Sequence, residues 1–199
     1  TNSEGSYAAL TDRRISEDTA KKYGVKVVHG ADGKPIEHHY PYYNGHELAA
    51  TKTRKVENKD FYLKGSFDET ALFGEQLFNK GGKYITIVEG ECDAMAAYEL
   101  LGSKWPVVSI KSGAKGAERD VRASLEFLES FDTVIINFDE DKQGKEAAKR
   151  VARLLKPAKT KIMSLPEGFK DANDMLKQHN HKDYVTAWWA AKVYTPSGV

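Results

Sequence analysis

From Lys83 onward the apolar and polar positions settle into a regular alternation. Short apolar runs at Tyr84–Val88, 106–110, 133–138 and 160–164 are separated by stretches of helical spacing over 92–101, 116–130 and 142–155. Strands alternating with helices of this length predict a parallel sheet joined by right-handed crossovers, with helices on its faces. Pro157 ends the third helix, because its ring removes a backbone donor. Two short helical patterns follow, at 171–178 and 181–192, where Trp188, Trp189 and Tyr194 are expected to pack the tail onto the body.

Ahead of Lys83 the pattern is different. A short helix over Glu17–Tyr23 is stopped by Gly24. Strand-like segments at Val25–His29 and Glu37–Tyr42 are joined through Asp32-Gly33, and Asn44-Gly45 turns the chain into Glu47–Lys55. The chain thus divides into an α+β subdomain over 1–80, an α/β subdomain over 81–165 and a helical tail over 166–199. Residues 1–10 are small and polar and are expected to fray, and Thr195–Val199 has a linker-like composition.

Composition narrows the class. With 40% hydrophobic and 11% aromatic residues among 199, the chain can bury a core, which excludes wholesale disorder. No apolar run is long enough to span a bilayer and no signal-like segment opens the chain. A net charge of +1 decides nothing, since an acidic site and a basic groove would cancel. The single cysteine, Cys92, rules out an internal disulfide and a Cys-rich zinc module, points to a reducing compartment, and reads as a small buried residue. The six histidines have no metal-ligand spacing. The chain opens on Thr1, as a domain cut from something longer would.

The candidate chemistry lies at strand ends, where open α/β sheets bind ligands. The first apolar run leads into Glu89-Gly90-Glu91-Cys92-Asp93, the third into Asp139-Glu140-Asp141, and the fourth towards Asp171. Gly90 permits a tight turn and Gly144 leaves room at the next helix entry. Carboxylates brought together repel, and a hard divalent cation, which takes oxygen ligands, relieves them. Singly, Glu91 and Asp93 also suit a helix first turn, and Asp139 or Asp141 an N-cap. Taken together, Glu89, Asp93, Asp139, Asp141 and Asp171 suggest a magnesium site.

A basic stretch, Lys52, Arg54, Lys55, Lys59 and Lys64, encloses Phe61 and Tyr62. Strand alternation puts Lys52 and Arg54 on one face, suited to phosphates or equally to plain solvation, and aromatics among cations suit stacking on unpaired bases. The Lys111–Gly116 loop, with Lys111 and Lys115, sits at a helix entry and can receive an anion, but lacks the Gly-Lys-Ser/Thr ending of a Walker A motif.

Glu-Gly-Glu-x-x-Asp after one strand and Asp-x-Asp after another resemble the Toprim signature of topoisomerases and primases. Nearly the whole chain is similar to the primase half of the T-odd phage primase–helicases and their Twinkle-like relatives. The matching segments include Thr11–Ser16, Tyr23–Val25, Tyr40–Tyr42, Ala71–Gly74, Val88–Asp93, Pro106–Ser109, Phe138–Gly144 and Lys170–Asn173. The resemblance implies a Toprim fold and an RNA-primer polymerase using Mg²⁺ or Mn²⁺ and ribonucleoside triphosphates on single-stranded DNA. It casts Glu89 as general acid/base, Asp139 and Asp141 as catalytic metal ligands, and Asp93 and Asp171 as the rest of the acidic cluster. Lys52 and Lys59, with Arg54 nearby, would meet nucleotide phosphates, and Arg13 and Arg14 the nucleotide or the DNA template; from the basic stretch Lys64 joins the nucleotide-binding set, and from the anion loop Lys111 and Lys115 join the DNA-binding one.

The chain also departs from that family. Nothing in it can form the zinc module that phage members carry upstream, and helicase activity would need a fused domain beyond Val199. Tyr62 and Glu69 stand where phage relatives carry Lys in the basic motif. A silent single-stranded-DNA-binding module and a Toprim nuclease stay open as alternatives. The expected location is the bacterial host cytoplasm for a phage protein, or an organelle for a Twinkle-like one.

Overall fold

The computed structural model describes residues 5–196 and divides them between two sheets. Strands β1 (Lys26–His29), β2 (Pro35–Asn44), β3 (Glu47–Lys55) and β4 (Phe61–Gly65) form an antiparallel meander in that order. Helix α1 (Glu17–Lys22) precedes it, capped by Ser16, whose Oγ accepts the Thr19 N–H. The register pairs His38 with Arg54, Tyr40 with Lys52 and Tyr42 with Ala50. Directly opposed residues share a sheet face, so these side chains form one surface. β4 departs from the expected three strands. Its Phe-Tyr-Leu-Lys-Gly run has no polar alternation, and all five of its residues are exposed.

The second sheet has the order β6-β5-β7-β8-β9. β5 (Tyr84–Val88), β6 (Val107–Ser109), β7 (Thr133–Asn137) and β8 (Thr160–Ile162) are parallel. The two-residue β9 (Lys192–Val193) closes the edge antiparallel to β8, starting at the last residue of a segment expected to be helical. β5 and β7 are near-continuous apolar runs because both of their faces are covered. Helices α2 (Glu91–Leu100), α6 (Ala172–Lys177) and α7 (His181–Trp189) cover one face, and α3 (Ala117–Ala123), α4 (Leu125–Glu129) and α5 (Lys142–Ala152) the other. The single helix expected over 116–130 is broken at Ser124, which leaves helical geometry at φ −116°, ψ 22°. Serine does this readily, since its hydroxyl competes for backbone groups.

The two sheets share one core. Tyr23, Tyr40, Tyr42, Phe67 and Phe73 pack with Ala94, Met95, Ala97 and Tyr98 of α2. α2 is buried almost all round, and its alanines let elements approach on several sides. The Tyr23 hydroxyl donates to the Val107 carbonyl at 2.7 Å, and Phe73 bridges to Ser109. The tail is anchored by Trp188, whose indole N–H donates to Thr86 Oγ1 at 2.9 Å and whose ring stacks on Trp105.

The opening segment is more ordered than its composition implies. Ser6 pairs with Val27, and Leu10, fully buried, pairs with Ile15, because one apolar side chain inside the core fixes its neighbours. Residues 1–4 and 197–199, the outermost parts of the expected frayed start and linker-like end, lie outside the described residues. Among the described residues no helix is long and apolar enough to cross a membrane.

Candidate active site

Because Val88 lies opposite Asn137, the chain leaves β5 and β7 side by side at their carboxyl ends. Glu89 follows β5 directly, and the Asp139 N–H donates to Glu89 Oε1 at 3.3 Å. Gly90 is extended, and α2 starts at Glu91, which turns Asp93 back towards β7. Asp171 caps α6, with its Oδ1 accepting the Asp174 N–H at 2.9 Å. The Lys170 carbonyl accepts the Glu140 N–H at 2.8 Å, which ties the Asp171 loop to the Asp139 loop. Asp93, Asp139 and Asp171 each bring one carboxylate oxygen to a group in which all lie within 4.8 Å of one another.

The electrostatics follow from this crowding. Burial first, then the charges of Asp171 and Asp139, push the Asp93 carboxyl well above the usual range. Burial, Glu89 and Asp171 push Asp139 up to about 7, against the opposing pull of Lys170, whose Nζ lies 3.9 Å away. Burial also raises Glu89, with Asp141 adding to it and the Asp139 N–H opposing it. Three carboxylates held closer than their charges tolerate match what a hard divalent cation takes as ligands. A hard divalent cation therefore fits the donor set, with Asp93, Asp139 and Asp171 as the residues that would hold it and Glu89 alongside.

Asp141 stands apart from that group. It is exposed, and its Oδ1 accepts the Gly144 N–H at 2.7 Å as the cap of α5. The expected spacing of two ligands therefore yields one cluster member and one helix cap, whose charge still reaches Glu89. Gly144 is required by space. A Cβ there would lie 2.1 Å from the Asp139 carbonyl oxygen.

The basic residues separate into distinct groups. Lys52 and Arg54 do share a face, which is buried at Lys52 and partly open at Arg54. Lys52 is buried, its ammonium 2.6 Å from Glu91 Oε2 and 2.5 Å from the Lys111 carbonyl oxygen. Burial alone would raise Glu91, yet Lys52 and the Tyr42 hydroxyl, which donates at 2.6 Å, hold it below the usual carboxylate range. Arg54 and Lys59 line a recess of ≈ 220 Å³ with Arg13, Lys55 and Lys177, where Asp12 is the acidic member. Lys59 reaches it from a left-handed backbone at φ 63°. Lys64 pairs with Thr51, on the opposite sheet face from Lys52 and Arg54.

The expected DNA contacts also differ among themselves. The Arg13 guanidinium donates to Asn173 Oδ1 at 3.1 Å, the Asn173 amide returns a bond to the Arg13 carbonyl, and the Asn173 N–H donates to Asp93 Oδ1 at 3.1 Å. Arg13 therefore belongs to the recess and braces the acidic cluster as well. Arg14 is exposed, at φ 56°, and donates to the His179 ring nitrogen. Lys111 corrects the anion-loop expectation. It is buried, with its ammonium on the Phe67 carbonyl and on the Thr70 carbonyl and hydroxyl at 2.8–3.1 Å, so its hydrogen-bonding capacity is already engaged within the protein. Lys115 is exposed.

Sequence reasoning gave no role to Tyr42, Asn173 or Lys177, and read Glu91 only as a favourable charge in a helix first turn. For Tyr42 the available signal was the sheet face it shares with Lys52. Asn173 lay in a quoted motif without a partner to suggest its use.

An acidic cluster at the carboxyl edge of a mostly parallel sheet, faced by an antiparallel sheet with a cationic recess, defines a Toprim-type domain. Residues 86–176 match the family model described as Toprim-like. The chain is 34% identical along its whole length to a DNA helicase/primase of Enterobacteria phage T3, and it spans about a third (34%) of that protein. The crystal structure of the primase fragment of the bacteriophage T7 primase–helicase superposes with a TM-score of 0.82 at 33% identity, over 94% of this chain and 76% of that one. Bacteriophage T7 primase domains bound to an RNA/DNA hybrid and dTTP beside a lagging-strand DNA polymerase superpose with a TM-score of 0.85 at 32% identity, over 98% of both chains. The chain belongs to the Toprim primase family of the phage primase–helicases.

Proposed function

We propose that this domain synthesises RNA primers by joining ribonucleotides on single-stranded DNA. The observation that carries the reading is the convergence of Asp93, Asp139 and Asp171 beside a cation-lined recess, with Arg13 and Asn173 connecting the two. Primase domains of its T7 relative are bound to an RNA/DNA hybrid, the kind of duplex that such a reaction makes.

In this reading Arg54, Lys59 and Arg13 bind the triphosphate of the incoming nucleotide. The 3′-hydroxyl of the growing primer attacks the α-phosphorus, the new phosphodiester forms and pyrophosphate leaves. Glu89, held above the usual carboxylate range beside the cluster, accepts the hydroxyl proton. Asp93, Asp139 and Asp171 hold Mg²⁺ or Mn²⁺, which when bound lowers the pKa of the attacking hydroxyl and neutralises charge on the phosphate. Lys52 acts from beneath by fixing Glu91 at the start of α2, and Asp141 sets the entry of α5. Lys115 and Arg14 remain exposed cations for template phosphates. The wider reading includes a fused helicase beyond Val199, a start-site-reading zinc module upstream and the host cytoplasm as the site of action.

The test is extension of a preformed diribonucleotide along a complementary DNA strand with labelled ribonucleotide and Mg²⁺ or Mn²⁺. Supplying the dinucleotide bypasses start-site recognition. The reading expects extension by this domain and its loss in Glu89→Gln. DNA binding with no extension would favour the silent binding module, and DNA cleavage without nucleotides would favour a nuclease.

A further inference from the structure

β4 is an outer strand of its sheet, and its apolar residues are uncovered: Phe61 is 51% exposed, Tyr62 53% and Leu63 43%. Proteins normally blunt such an edge, because an exposed apolar strand pairs and aggregates. Register places Phe61 opposite Arg54 and Leu63 opposite Lys52, so both apolar side chains lie on the sheet face that carries these cations. The Phe61 ring centroid is 5.2 Å from the Lys52 ammonium and 5.5 Å from the Arg54 guanidinium. Its β3 side is thus occupied by positive charge, and its other side is open.

The charge around the edge says what covers it. Between residues 54 and 64 four cationic side chains that reach solvent, Arg54, Lys55, Lys59 and Lys64, outnumber two acidic ones, Glu57 and Asp60. An apolar protein partner would bury those cations at a cost, whereas a polyanion with flat apolar rings satisfies both features. Arg54 joins the platform to the cationic recess that it also lines. We infer that the open face of Phe61 is a stacking platform for an unpaired base of single-stranded DNA, with the neighbouring cations following the strand's phosphates. The inference rests on the primase reading for the identity of the strand, and it names the contact that holds the template.

The experiment measures equilibrium binding of the intact domain to a fluorescein-labelled single-stranded oligonucleotide, together with quenching of a 2-aminopurine placed in the strand. Phe61→Leu keeps an apolar side chain without a stacking face, and Phe61→Trp enlarges the ring. Stacking on one base predicts about tenfold weaker binding and loss of quenching in Phe61→Leu. Phe61→Trp is expected to bind at least as tightly as the native domain, which separates stacking from a folding defect. Equal affinity and quenching in all three proteins would overturn the inference, as would a Phe61→Leu variant in which only the nucleotide KM changes. Absence of DNA binding by the native domain would instead overturn the primase reading itself.

Discussion

Lys52 of the antiparallel sheet and Glu91 at the start of α2 form a buried ion pair at 2.6 Å, and it ties the two sheets together beside the acidic cluster. The pair is completed by the Tyr42 hydroxyl on Glu91 and by the Lys111 carbonyl on Lys52. Removing one member leaves the other charge buried without its partner, which costs about 3–5 kcal/mol. Lys52→Met and Glu91→Met should each lower the unfolding free energy by about that amount in urea titrations. The double variant should recover much of the loss. A Lys52→Met protein of native stability with weakened nucleotide binding would make Lys52 a phosphate contact instead.

Asn173 connects Arg13 to Asp93. Groups that orient metal-binding carboxylates typically contribute 10–100-fold to metal affinity. Asn173→Ala should therefore weaken Mn²⁺ binding by about tenfold or more, measured by electron paramagnetic resonance of free Mn²⁺, while the fold survives. Unchanged Mn²⁺ affinity would confine Asn173 to a packing role.

The Asp139 carboxyl sets a pH dependence. Its value rises from an ordinary 3.8 to about 7 in the folded domain, so the folded state holds the proton more tightly than the unfolded state does. Its effect is a loss of stability that develops as pH rises from the unfolded value through about 7, and then levels off. The melting temperature of the metal-free domain should fall more steeply across that window than that of Asp139→Asn. Saturating Mg²⁺ should remove the difference, because a bound cation takes the place of the proton. Parallel profiles for the two metal-free proteins would show that the carboxyl is not strained.

Lys111 and Lys115 lie four residues apart and should behave oppositely. Lys111→Met strands the Thr70 and Phe67 carbonyls that it now satisfies and should cost about 1–3 kcal/mol of stability. Lys115→Ala, at an exposed position, should change stability by less than about 0.5 kcal/mol and weaken DNA binding modestly in a salt-dependent way. The reverse pattern in melting and binding experiments would contradict this division.

The parallel half was legible because buried strands and amphipathic helices leave periodic signatures, and β5, β7 and α5 fall within a residue or a few of the expected ranges. β4 and β9 were not. The first has no alternation, and the second has two residues that become a strand only by pairing with β8. The acidic residues were legible as a set, since strand ends collect them. Which of them converge depends on loop paths that no local pattern encodes, and so Asp93 and Asp171 joined Asp139 while Asp141 became a cap. Likewise, alternation joined Lys52 to Arg54 on one face, but the packing of α2 decided that Lys52 is buried against Glu91 while Arg54 stays partly open.

The most direct measurement compares single-turnover addition of one ribonucleotide to a dinucleotide primer on single-stranded DNA in the native domain and in Asp139→Asn. Mn²⁺ binding is followed on the same two proteins. Asp139→Asn is predicted to lose metal affinity and nucleotide addition together, by a hundredfold or more (on the order of 3 kcal/mol). Addition at the native rate by Asp139→Asn would contradict the assignment of this cluster as the primer-synthesising centre.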